Sequence, residues 1–292
     1  MHRPTTTLVA VVAALSLALV ACGSSSDDAA SDASTTTAAG GGSCDTGDLA
    51  LKEAGKLKVA TGDPAFPPWV EDDKPESGKG FESAVVYALA DQLGLEKGDV
   101  SWTRTGFDEA VAPGEKDYDF NIQQYSITPE REKVVDFSDG YYTVQQALVG
   151  AADGSIADAT SIADLKKARL GAAIGTTSLD YIENYIKPDT APLVFDDNAA
   201  AKAAFDAKQV DGIVFDVPTA YYVTAAEIEG SAIVGVLPVQ GPAEDLGLLF
   251  EKGSPLVGCV DEALAALKDD GTLADLQEEW LAQGGDIPTL TK

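Results

Sequence analysis

The sequence predicts an α/β chain of two lobes, joined by a two-strand hinge with a cleft between them. Three observations carry this prediction. Strand-like and helix-like segments alternate from Leu57 to Leu281, which points to parallel-type sheets covered by helices. The alternation forms two series, linked by strands near Val144 to Val149 and Ile233 to Val239. No fixed-period repeat interrupts them, so a solenoid is excluded.

The first series opens with Leu57 to Thr61, β-branched and apolar. Phe81, Val85, Leu89 and Leu93 then recur every fourth residue, and Gly94 supplies a helix stop. Phe120 to Ile122 is a short strand, and Thr128-Pro129-Glu130-Arg131 is a helix start with Thr as N-cap and Pro at the first position. Val144 to Val149 follows as a strand. In the second series Ser161 to Asp164 forms a capping box, Arg169 to Ala173 is a strand and Thr176 to Ile186 a helix. Asn198 to Ala207 is helical, Gly212 to Phe215 extended, Pro218 to Ala226 helical, and Ile233 to Val239 and Leu246 to Phe250 extended. Pro255 to Leu281 supplies two last helices around Asp270-Gly271. Residues 44–143 with 240–292 are therefore expected to build the first lobe, and residues 144–239 the second.

The N-terminus has a different character. Leu8 to Val20 is apolar except for Ser16 and is too short for a comfortable membrane span. It has the length of a signal-peptide core, and Leu19-Val20-Ala21-Cys22 resembles the bacterial lipobox. Residues 1–21 are accordingly expected to be removed and Cys22 to be lipidated, which anchors the chain outside the cell membrane without a spanning helix. Gly23 to Ser43 is Gly, Ser, Asp, Ala and Thr without apolar periodicity, so residues 22–43 read as a disordered tether.

Formal charge is −28, and a surface that acidic repels phosphate backbones, which argues against nucleic-acid binding. The single histidine is His2, lost with the signal peptide, so Ser-His-Asp, Cys-His and His-zinc chemistry are all excluded from the mature chain. With Cys22 assigned to lipid, Cys44 and Cys259 remain as a pair in an oxidising compartment. A disulfide between them is expected, two separate buried thiols being the alternative.

Several segments, in shared order and spacing, resemble the family 3 extracytoplasmic solute-binding proteins of polar amino-acid ABC transporters. They are Leu57-Lys58-Val59-Ala60-Thr61 with Asp63 and Pro68, Gly80-Phe81-Glu82, Thr128-Pro129-Glu130-Arg131 and Asp136-Phe137-Ser138 with Tyr141-Tyr142. Gly175-Thr176-Thr177, Val210-Asp211-Gly212 to Asp216, and Asp270-Gly271-Thr272-Leu273 with Trp280 complete the set. The resemblance implies a type II periplasmic-binding-protein-like fold, an amino-acid ligand held by hinge closure, and an ABC permease as partner. It implies no catalytic residue, cofactor or metal, and a monomer is expected.

An amino acid presents a carboxylate and an ammonium, and burying either without a partner costs several kcal/mol. The resemblance gives the carboxylate to Arg131, whose planar fork suits it, with Ser126 beside it and Thr176 and Thr177 gripping from the second lobe. It gives the ammonium to Asp216. Asp63, Phe66 and Phe107 match positions around the ligand side chain, and two aromatic faces with a carboxylate favour an amide-bearing or cationic group. Gln124 matches a position whose backbone faces the ligand. Taken alone, Arg131 reads as a solvated helical arginine, and Thr176 and Asp216 as N-caps. The family often has Asp where Glu82 and Ala84 stand, and small residues where Gln123-Gln124-Tyr125 stands, so the bound amino acid stays open. Two rival readings are an enzyme on the same fold, such as a dehydratase acting on a small carboxylic acid with carboxylates as acid and base, and a sensory ligand-binding protein.

Overall fold

The computed structural model describes residues 43–281 and 287–292; the expected signal peptide, the lipidated Cys22 and the tether up to residue 42 lie outside the described residues. In chain order the elements are β1 (Leu57–Gly62), α1 (Phe81–Gln92), β2 (Val100–Thr105), α2 (Phe107–Val111), β3 (Phe120–Asn121), β4 (Val135–Phe137) and β5 (Tyr142–Val144). Next come β6 (Gln146–Ala151), β7 (Leu170–Ala173), α3 (Thr177–Tyr181), β8 (Leu193–Phe195), α4 (Asn198–Asp206), β9 (Gly212–Asp216), α5 (Val217–Tyr222) and β10 (Ser231–Val236). The chain returns through β11 (Glu244–Leu246) and β12 (Leu249–Glu251) to α6 (Val257–Asp269) and α7 (Thr272–Leu281). Single π-helical turns, Ile182–Ile186 and Val223–Glu227, extend α3 and α5.

Two five-stranded sheets result, in the orders β2-β1-β3-β12-β4 and β10-β6-β9-β7-β8. β1 runs parallel to β2 and β3, and β7 parallel to β8 and β9. Because helices cover both faces, β1 is buried at all but one position. The first core gathers Leu57, Trp69, Phe81, Leu89, Phe120, Phe250 and Leu264, while the second sheet carries one cluster around Leu148, Ile182 and Val214 and another around Val149, Ile213 and Phe215.

The predicted four-residue repeat builds α1, with Phe81, Val85 and Leu89 buried and Gly94 at φ 74° ending it. Its entry depends on Gly80 at φ 94°, where a Cβ would lie 2.6 Å from the Trp69 carbonyl oxygen. That close approach sets Glu82 beneath the cleft.

Three expectations need correction. β6 and β10 do not cross between the lobes but pair with each other inside the second sheet, with Ile233 opposite Val149. The crossing is made by the antiparallel pair β5 and β11, with Glu244 opposite Val144 and Leu246 opposite Tyr142. Apolar runs mark sheet interiors, whereas these hinge strands are short and half polar. Next, no helix starts at Thr128: the segment holds a single 3-10 turn, Arg131–Lys133, with Glu130 in the N-cap position, and the Thr128 hydroxyl accepts the Arg131 N–H at 3.3 Å from outside it. Val135 must enter the first sheet beside β12, and the helix stops there. Finally, the C-terminus does not stay with the first lobe: Thr289 bridges to Val236, Thr291 to Ser161, and Leu290 is buried in the second core. Gly235 leaves that room, since a Cβ there would sit 2.8 Å from the Leu290 side chain.

Cys44 and Cys259 form a disulfide that ties the start of the described chain to α6 across 215 residues. On loop-closure entropy so long a loop contributes at most about 5 kcal/mol. Reduction, or the Cys44→Ala and Cys259→Ala pair, should lower the thermal midpoint without abolishing the cooperative transition, as checked by calorimetry with and without reductant.

Candidate ligand-binding site

A cavity of about 250 Å³ lies between the two sheets, at the small end of ligand pockets. Its walls come from the loop after β1, the start of α2, the segment after β3, the turn between β7 and α3, the start of α4 and the end of β9. Asp63, Phe66, Phe107, Gln124, Ser126, Arg131, Thr176, Thr177 and Asp216 all line it. Residues up to 153 apart in sequence are thus brought to one surface.

Arg131 is buried, at 8% exposure, where a solvated helical arginine would not be. Burial pulls its guanidinium below the ordinary arginine value, opposed by the nearby Tyr125, Glu244, Asp180 and Asp216. One Nη donates 2.7 Å to the Ser126 carbonyl and the other 2.8 Å to the Gly175 carbonyl on the opposite lobe. A guanidinium has five N–H groups, so the fork can grip further acceptors while spanning the cleft. Its carbon lies 5.3 Å from the Phe107 ring centre, and that ring stacks on Tyr125 at 4.5 Å.

Asp216 ends β9 and precedes α5. It stands in the N-cap position but makes no side-chain cap bond; its carboxylate accepts instead from Gln146 Nε2 at 2.8 Å. Desolvation, with repulsion from Glu244 next, pushes its carboxyl up to about 7. Thr176 does act as an N-cap: its hydroxyl accepts from the Leu179 N–H and donates to the Ala173 carbonyl at 2.7 Å. Thr177 is oriented differently, its hydroxyl donating 2.6 Å to Glu244.

Gln124 is held at φ 50°, uncommon for a residue with a side chain. Glu82 imposes it, accepting the Gln124 N–H at 2.8 Å and its side-chain amide at 2.5 Å, with the Tyr141 hydroxyl at 2.5 Å on the same carboxylate. Fully buried, Glu82 has its carboxyl pushed up to about 7 by desolvation, against the pull of those three bonds. The lobes meet elsewhere as well. Trp69 Nε1 donates 2.9 Å to the Thr219 hydroxyl, and Gly175, at φ 70°, comes so near α2 that a Cβ would lie 2.0 Å from an Asp108 oxygen.

Gln146, Glu244, Asp196 and Asp197 escaped the sequence reading. Gln146 begins an ordinary buried strand and Glu244 follows Gly241-Pro242-Ala243, so neither has a local signature. Asp196 and Asp197 precede a helix, where an acid is expected as a cap, and Asp197 does accept from the Ala200 N–H. Only the folded topology brings them to the cleft.

The described residues contain no helix long and apolar enough to cross a membrane and no group of side chains suited to a metal. Residues 57–283 match the bacterial extracellular solute-binding proteins, family 3. The chain belongs to this family. The arginine-binding extracellular protein ArtP of Bacillus subtilis is 27% identical over 94% of this chain and 96% of its own length. The L-cystine-binding protein TcyJ of Escherichia coli is 28% identical over 81% of this chain and 86% of its own. Among solved structures, the ancestral amino acid-binding protein AncCDT-1, a precursor of cyclohexadienyl dehydratase, superposes with a TM-score of 0.65 at 31% identity, covering 78% of this chain and 95% of the other. The relatives of this solute-binding protein are amino-acid-binding proteins, and the architecture is the type II one expected from the sequence.

Proposed function

We propose that this solute-binding protein captures a cationic or amide-bearing amino acid in the cleft and delivers it to an ABC permease, tethered outside the membrane by lipid on Cys22 and acting as a monomer. The observation that carries the reading is the pairing of one buried cation, Arg131, with one desolvated carboxylate, Asp216, on the walls of a single small cavity. Those are the two partners an amino acid needs. Arg131 takes the ligand carboxylate, joined by backbone N–H groups at the start of α3, and Asp216 takes the ammonium.

The side chain follows from the remaining charge. Asp63, Asp196, Asp197 and Asp216 line the cavity against Arg131 alone. A zwitterion balances Arg131 and Asp216 and leaves three carboxylates, which favours a side chain that brings its own cation or several donors. Phe66 and Phe107, both half-buried, offer flat faces to such a group. Arginine and lysine fit best, then glutamine. The named ligands of the relatives, arginine and cystine among them, support an amino acid and differ in side chain.

A thermal-shift panel of the twenty amino acids on the chain beginning at Gly23 tests this. A ligand that binds only the folded state raises the midpoint, by about 2.7 kcal/mol of stability at a hundredfold excess over Kd. Arginine or lysine should give the largest shift and aspartate none. A panel without any shift would sink the reading.

A further inference from the structure

We propose that Glu244, on the second hinge strand, is a positioning residue that draws the hydroxyl protons of Ser126 and Thr177, one from each lobe, onto a single carboxylate oxygen. It thereby latches the closed cleft and fixes which face of each hydroxyl meets the ligand.

Glu244 does not line the cavity; it stands behind the cavity wall on β11, paired with Val144 of β5 where the chain crosses between lobes. Its Oε1 accepts from Ser126 Oγ in a short bond, from Thr177 Oγ1 at 2.6 Å and from Gln146 Nε2 at 3.4 Å. The two hydroxyl oxygens are 3.4 Å apart, so they converge from opposite lobes on the same acceptor. Ser126 is further fixed by its backbone, which bridges to Leu246 of the same hinge strand.

An ionised carboxylate can only accept, and a hydroxyl has one proton to give. With both protons turned to Glu244, the lone pairs of Ser126 and Thr177 are what the two residues offer the cavity they line. Acceptors on the walls of the same cavity as Asp216 suit an ammonium, and they leave the ligand carboxylate to Arg131 and backbone N–H groups. This polarity rests on the amino-acid reading of the site. The latch does not: a contact made only when the lobes are shut favours the shut state whether or not a ligand is present, and a larger competent fraction lowers the apparent Kd in proportion.

The test compares the chain beginning at Gly23 with its Glu244→Ala and Glu244→Gln variants. Solution X-ray scattering without any added ligand should give a larger radius of gyration for Glu244→Ala than for the parent. Glu244→Gln keeps an acceptor oxygen and should fall between them. By calorimetry, Glu244→Ala should bind arginine about tenfold more weakly, the scale of one or two lost hydrogen bonds. It should also discriminate less between arginine and the analogue lacking the α-ammonium, with Glu244→Gln restoring part of that discrimination. A purely structural role would lower both affinities alike, and that result would overturn the polarity. Unchanged scattering would overturn the latch, and tighter arginine binding would show instead that Glu244 competes with the ligand carboxylate. If the parent itself binds no amino acid, the functional reading fails while the scattering comparison still decides the latch.

Discussion

Arg131→Ala should weaken amino-acid binding by about 3 to 5 kcal/mol, or about two to nearly four orders of magnitude in Kd, because a ligand carboxylate would then be buried without its cation. Two losses combine in this variant. The proposed grip on the ligand carboxylate disappears, and so does the bond from the guanidinium to the Gly175 carbonyl on the opposite lobe. Arg131→Lys separates them: it restores a charge in the same place but not a planar fork with parallel N–H groups, so it should recover only part of the affinity. The thermal midpoint without ligand should hardly fall in Arg131→Ala, since the guanidinium is itself desolvated and opposed by its burial. Calorimetric titration with arginine reads the affinity and a thermal scan reads the fold. Unchanged affinity in Arg131→Ala would remove Arg131 from the site.

Where the sequence was informative, the reason is physical. The Phe81, Val85, Leu89 stripe reports burial directly, and α1 forms where that stripe says. The Gly175-Thr176-Thr177 turn is legible because a strand end, a left-handed glycine and an N-cap leave few alternatives. Other features are not local. β4 and β8 have three residues each, too short to show a period, and exist because neighbouring strands offer free edges. The hinge pair β5 and β11 is specified by the return of the chain to the first sheet, not by its own composition. The nine residues expected around a ligand were reached through family resemblance, and the folded chain brings them to one cavity. The side chains that orient them, Glu82 behind Gln124 and Glu244 behind Ser126 and Thr177, come from distant segments. A sequence read alone gives the wall of such a site more readily than what braces it.

Asp216→Asn should separate binding from stability in opposite directions. Burial and the nearby Glu244 and Glu82 push the Asp216 carboxyl up to about 7, only partly relieved by Gln146 and Arg131. Between its ordinary value of 3.8 and about 7, the folded chain therefore holds a proton that the unfolded chain has released. Stability falls as pH rises through that window, and the ionised carboxylate costs the fold on the order of a few kcal/mol above it. Asparagine cannot ionise, so the variant should melt higher than the parent at pH 8 and nearly level with it at pH 4. Glu82, also pushed up to about 7, is present in both proteins, so the difference between them reads Asp216 together with its repulsion from Glu82. Binding shows the converse. An ammonium beside Asp216 favours the ionised form, so the parent should release a proton on binding amino acid below neutrality and lose about tenfold in affinity per pH unit beneath about 7. The variant should bind weakly at every pH and without that slope. Thermal scans at pH 4 and 8, with titrations of arginine between pH 5 and 8, read both effects. A variant no more stable than the parent at pH 8, or a parent whose affinity ignores pH, would mean that Asp216 does not carry the charge that the site needs.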